Sequence, residues 1–134
     1  MTIALDTTAL LTRFLETPGR AQLLEAMEAD HEWCASALAM SEALMLIERI
    51  DDDRARTDEL RGALRDDWER IHRIPVDGSC LERAAELGRT QPLRTVDAIH
   101  LAAADRLPRP TTFATFDPTQ IPVALALGFD VLGS

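Results

Sequence analysis

The sequence predicts an α/β/α sandwich: a five-stranded, mostly parallel sheet with helices on both faces. Short apolar runs alternate with longer segments at helical spacing, the alternation that builds a parallel sheet covered on both sides. The 134 residues suit one ordinary domain with its own core. No repeat, low-complexity tract or linker interrupts them, so residues 1–134 are expected to fold as a single domain.

Thr2 to Leu5 reads as a short apolar strand, after which Thr7 or Thr8 caps a helix through Phe14. Thr17, Pro18 and Gly19 punctuate the chain, and Arg20 to Asp30 forms a helix with Leu23, Leu24 and Met27 on one face. Glu32 to Ala35 is the second strand, with Ser36 capping a helix that runs to about Ile50. Asp51, Asp52 and Asp53 break the pattern before a charged helix to about Arg70, which carries Leu60, Leu64 and Trp68 at helical spacing. His72 to Pro75 is the third strand, and Leu81 to Gly88 a helix stopped by its glycine. Pro92 to Thr95 leads into a helix that holds Asp97 and ends before Pro108. The fourth strand is Thr111 to Thr115, followed by a short helix from Pro118 to Leu127 and a fifth strand from Phe129 to Leu132. Leu10, Leu11, Phe14, Leu44, Leu46 and Ile47 fall at helical spacing and are expected mostly in the core.

The chain is 46% hydrophobic and 28% charged, a balance typical of globular domains in water. No apolar stretch approaches the roughly 20 residues that span a bilayer, and the N-terminus has no basic region or cleavage site. A cytoplasmic protein with no membrane contact is expected. Net charge of −9 argues against a broad nonspecific grip on nucleic acid. A bound cation changes the local sign, however, so an RNA-cutting site remains compatible. All fourteen basic residues are arginine. Cys34 and Cys80 form no C-x-x-C pair and are expected to be buried, reduced thiols.

Four acids stand where predicted strands run into helices: Asp6, Glu42, Asp97 and Asp117. Ligands of parallel sheets bind beyond the carboxyl ends of strands, where the winding reverses. Like charges gathered there repel: two of them about 4 Å apart cost roughly 4 kcal/mol at an effective dielectric of 20. Protonation or a divalent metal relieves such repulsion, and acid-held metals are common apparatus for phosphodiester cleavage. Taken singly, each acid also reads as a helix cap or a solvated charge, Asp6 and Asp97 in particular. His100 lies three residues after Asp97, but zinc wants more nitrogen or sulfur ligands than His31 and His72 provide, so His100 reads as structural. Asp51 to Asp53 lacks the glycine and twelfth-position glutamate of an EF-hand loop. Between Arg49 and Arg73, seven arginines mix with eight acids, a salt-bridged surface and not a basic patch.

Leu5-Asp6-Thr7-Thr8-Ala9-Leu10-Leu11, Ser41-Glu42-Ala43, Leu93 to Ala102 around Asp97, and Thr115-Phe116-Asp117 together resemble the PIN-domain nucleases, within them the VapC toxins of bacterial VapBC toxin–antitoxin systems. The resemblance covers nearly the whole chain. It implies a PIN-like sandwich and a Mg²⁺-dependent endoribonuclease, Mn²⁺ being possible, that cuts cellular RNA of the tRNA or rRNA class and leaves 5′-phosphate ends. It further implies a homodimer and a VapB-type antitoxin whose tail fills the acidic cleft, often with an arginine. Asp6 and Asp97 are then expected to hold the metal directly, Asp117 to complete the shell or support a second ion, and Glu42 to hold metal-bound water. Thr7 and Thr115 are candidates to orient these acids. The chain departs from its relatives at Asp117-Pro118-Thr119-Gln120, where many carry basic residues.

Two rival enzymes share the acid after the first strand. A receiver domain needs a late lysine and an aspartate-nucleophile phosphatase a second aspartate where Thr8 stands; the chain has neither. The alternative that remains is a PIN-fold RNA- or protein-binding module without cleavage activity.

Overall fold

Five strands, β1 (Thr2–Leu5), β2 (Glu32–Ser36), β3 (His72–Ile74), β4 (Thr111–Ala114) and β5 (Asp130–Leu132), form one sheet in the order β3-β2-β1-β4-β5, every neighbouring pair parallel. The computed structural model describes residues 2–133; Met1 and Ser134, the ends of the expected domain, lie outside the described residues. Parallel neighbours require crossovers. They are supplied by α1 (Thr7–Thr12), α2 (Arg20–Ala29), α3 (Ala39–Ile47), α4 (Arg54–Arg70), α5 (Gly78–Thr90), α6 (Thr95–Ala104) and α7 (Ile121–Ala126).

Side chains of a strand alternate between faces, and the strands here feed two cores. Ile3, Leu5, Trp33, Ala35, Ala114 and Leu132 pack with Leu10, Leu23, Ile47 and Leu64 of α1 to α4. Ala4, Cys34, Ile74 and Phe113 pack on the other face with Ala84, Leu101, Ala103 and Val123 of α5 to α7. Every residue of α6 from Asp97 to Ala104 is buried, and its alanines let α5 lie close beside it. Cys34 and Cys80 are buried and unpaired, the Cys34 thiol pushed up to about 11 by loss of water.

The chain winds outward from β1 through β2 to β3, then returns past β1 to lay down β4 and β5. The reversal opens a crevice between the carboxyl ends of β1 and β4. Asp6 follows one of those ends and Asp117 the other.

Several boundaries differ from the sequence reading. Thr7 and Thr8 do not cap α1; Asp6 does, accepting from the Ala9 N–H, and the helix ends at Thr12, short of Phe14. Ser36 ends β2 instead of capping a helix, and α3 runs only from Ala39 to Ile47. Gly88 stops nothing, because α5 continues to Thr90 from an Asp77 cap that accepts from the Cys80 N–H. Asp53, from the acidic break, caps α4 through the Ala55 N–H. Gly133, with φ +116, passes so close to the Thr115 carbonyl that a Cβ would overlap it.

Candidate active site

Asp6 enters the crevice by sheet pairing: its N–H donates to the Ala114 carbonyl at 3.2 Å, extending the β1–β4 ladder by one residue. Its Oδ1 accepts from the Ala9 N–H at 2.9 Å and from the Thr8 hydroxyl at 2.7 Å. Its Oδ2 accepts from the Thr115 hydroxyl at 2.6 Å and from Gln120 Nε2 at 3.0 Å. Only 1% of the residue is exposed. Burial raises the carboxyl pKa, while the donors from Thr115, Ala9 and Thr8 pull it down.

Asp97 approaches from the other side, in the first turn of α6, where the helix dipole favours a carboxylate. Arg94 grips it bidentately, Nε to Oδ2 at 2.8 Å and Nη2 to Oδ1 at 3.0 Å. Asp97 is buried, yet the Arg94 side chain is 69% exposed, so water and competing ions reach this partner. The Asp97 carboxylate holds the Arg94 pKa above its usual value, and Glu42 and Asp117 add to the effect. Asp97 Oδ1 also accepts from Gln120 Nε2 at 3.1 Å. One amide nitrogen thus spans the carboxylates of Asp6 and Asp97.

Glu42, half-buried in the first turn of α3, bonds His100 Nε2 at 3.0 Å. His100 is buried on α6, with Nε2 also 3.0 Å from the Thr7 hydroxyl and Nδ1 2.6 Å from the Ser36 hydroxyl. A carboxylate only accepts, so Nε2 donates to Glu42. The hydrogen bond from His100 lowers the Glu42 pKa against the opposing effect of burial. Asp117 is engaged differently: its Oδ1 accepts from the Thr119 N–H at 3.0 Å and the Thr119 hydroxyl at 2.8 Å, closing a turn of its own loop.

The four predicted acids therefore divide. Asp6 and Asp97 come together, Glu42 is held by a histidine, and Asp117 is folded onto Thr119. Among the described residues no three of the acids, histidines and cysteines form a ready-made metal cage. The two convergent carboxylates still suit a hard cation, because Mg²⁺ takes one or two carboxylates and keeps several waters. Their surroundings are oxygen-rich; His31 and His72 lie exposed elsewhere, so zinc is a poor match.

A family model described as the PIN domain matches residues 3–124. The chain belongs to the PIN domain family. This PIN domain resembles the toxin-antitoxin complex from Klebsiella pneumoniae at TM-score 0.66 and 22% identity, covering 89% of each chain. It resembles VapBC2 from Rickettsia felis, solved on a DNA fragment from its promoter, at TM-score 0.71 and 13% identity over 98% of each chain. FitAcB from Neisseria gonorrhoeae gives TM-score 0.71 and 17% identity over 98% of this chain and 96% of that one. No curated protein matches it in sequence. At such identities the structural likenesses establish the fold, while family membership supports a nuclease activity in general terms.

Sequence reasoning passed over Arg94 and Gln120 as contributors to this PIN site and read His100 as structural. Arg94 had a local signal, a cation three residues ahead of an acid at a helix start. His100 had one too, lying one turn beyond Asp97, but its bond to Glu42 joins residues 58 positions apart. Gln120 had none, since both of its partners are distant in the chain. Beside the site runs an open groove of about 260 Å³, whose walls include Glu42, Arg49, Arg94, Leu38, Leu46 and the 64%-exposed Met45.

Proposed function

We propose that this PIN domain is a Mg²⁺-dependent endoribonuclease, the toxin of a type II toxin–antitoxin pair, and that residues 1–134 act as one catalytic unit. One observation carries the reading: two buried carboxylates from different elements meet on a single amide nitrogen at the point where the sheet winding reverses. Asp6 and Asp97 offer oxygens to the cation. Mg²⁺, or Mn²⁺ in its place, supplies an activated water and neutralises charge on the phosphate when bound. Glu42, fixed by His100, faces the crevice rim and orients the attacking water. Arg94, which grips Asp97, would be free to meet a substrate phosphate were a cation to take its place there. Asp117 would complete the shell or support a second ion.

The substrate is cellular RNA of the tRNA or rRNA class. One structural relative is a toxin–antitoxin complex and another is VapBC2, which supports a VapB-type antitoxin as partner. The mixed groove beside Glu42 and Arg94 suits an amphipathic segment of such a partner, and a homodimer in the cytoplasm completes the reading. No helix among the described residues is long and apolar enough to cross a membrane.

The test is cleavage of total RNA by purified protein with Mg²⁺ and with EDTA, beside Asp6→Ala. Metal-dependent cutting that the variant loses supports the nuclease. RNA binding without cutting, unchanged in Asp6→Ala, points instead to a binding module. Mapping RNA 5′ ends in cells after induced expression then identifies the substrate.

A further inference from the structure

The Gln120 carboxamide is 1% exposed and sits between the two convergent acids. Its Nε2 satisfies both carboxylates, yet among the described residues its Oε1 is buried without a hydrogen-bond partner. A buried acceptor left unmatched loses its hydration with nothing to replace it. The orientation is nonetheless the only tolerable one in the metal-free protein, because turning Oε1 inward would set an acceptor against two acceptors.

The backbone at Gln120 is pinned: its N–H donates to the Asp117 carbonyl at 3.1 Å and its carbonyl accepts from the Ala124 N–H at 2.9 Å. What stays free is the last side-chain bond, whose two orientations exchange nitrogen and oxygen in nearly the same place. The spacing matters here. Neighbouring oxygens around an octahedral Mg²⁺ stand about 2.9 Å apart, √2 times the 2.0–2.1 Å metal–oxygen distance. Nε2 lies 3.0 Å from Asp6 Oδ2 and 3.1 Å from Asp97 Oδ1. An oxygen in its place stands at ligand spacing from both.

We infer that Gln120 is a reversible ligand of the cation site: its N–H groups tie Asp6 to Asp97 without metal, and its carboxamide turns over to present Oε1 when a divalent cation binds. This rests on the metal-dependent reading above. A neutral amide suits both states, since a carboxylate would add like charge to the empty site and a lysine or arginine could never become an acceptor.

The chain has three glutamines, Gln22, Gln91 and Gln120, and no asparagine, so ¹⁵N-labelled protein shows only three side-chain amide pairs. Titration with Mg²⁺ is expected to move the Gln120 pair and leave Gln22 and Gln91 in place. By calorimetric titration with Mn²⁺, Gln120→Leu should bind roughly tenfold or more weakly, as expected for losing a group that shapes a metal site. Gln120→Glu, which keeps the oxygens and loses the N–H groups, should bind at least as tightly as the parent. If the parent binds metal while the Gln120 amide pair stays still, or if Gln120→Leu binds equally well, the inverting ligand is overturned and the nuclease reading stands. If the parent binds no metal and behaves like Asp97→Asn, both fall together.

Discussion

The two ends of α1 handle buried charge in opposite ways. Its C-cap, Arg13, pairs with Asp67 of α4 at 2.5 Å, and its guanidinium lies 5.1 Å from the Trp33 ring centroid, with Arg70 stacked on the same indole at 4.0 Å. Burial raises the Asp67 pKa while Arg13 opposes it. Its N-cap, Asp6, is buried among hydroxyl and amide donors, and the nearby Asp97 leans on a mostly exposed arginine. Where a buried acid serves the fold, the chain supplies a sequestered cation framed by rings. At the other end the positive charge is left incomplete, and that deficit is what a cation from solution can fill.

The sharpest way to break this contrast is Asp97→Asn. It should lower single-turnover RNA cleavage by roughly 10³-fold, the loss of several kcal/mol of transition-state stabilisation. At the same time it should raise the metal-free melting temperature, because a repelling charge has gone. Cleavage within tenfold of the parent would remove Asp97 from the chemistry.

Next comes Arg13→Ala, which strands Asp67 inside the fold. Removing one partner of a buried pair costs about 3–5 kcal/mol, and with Arg13 22% exposed the expected loss in urea denaturation is about 2–3 kcal/mol. The melting shift produced by Mg²⁺ should be unchanged. Arg13→Met combined with Asp67→Leu should recover most of the stability. A variant that loses its metal response along with its stability would show that the two ends of α1 are coupled.

His100→Phe keeps the bulk and deletes the ring's hydrogen bonds to Glu42, Thr7 and Ser36. Outer-sphere groups of this kind are worth about 10- to 100-fold in activity. The expected pattern is a reduced kcat with metal binding largely retained, since His100 acts through Glu42 and not on Asp6 or Asp97. Equal loss of metal affinity would move Glu42 into direct contact with the cation.

The smallest effect is a slope with pH. Asp6 holds its proton more tightly folded than unfolded, so from the ordinary 3.8 up to its raised value the folded state binds more protons. Metal-free stability should therefore fall as pH rises through that window. Glu42 works the other way: its contribution is present above the ordinary 4.5 and is lost as pH falls through its lowered value. Asp6→Asn should abolish the first slope in thermal melts and leave the second. A parent protein whose metal-free stability rises steadily with pH would contradict the desolvation of Asp6.

Much of the fold was legible because it is written in local periodicity. The apolar runs at Ile3 to Leu5 and Phe113, and the apolar stretch around Asp97, carry their placement in their neighbours. Helix ends were less legible, because hydroxyls compete for backbone and side-chain partners alike: Thr7 and Ser36 read as caps, yet both turn to His100. At the site, the strand-end position of Asp6 could be read from the alternation of strand and helix. The bridge through Gln120 could not, because it exists only after β4 has come back beside β1.

That return leaves β1 paired on both sides, with β2 and with β4. A strand so enclosed opens only with the whole fold, so its amides should exchange hydrogen most slowly. Asp6 is thereby mounted at the end of the central strand, whereas Asp117 and Gln120 ride a connecting turn between β4 and α7. The crevice thus has one wall built from sheet and one built from a turn, and the two can vary independently of one another.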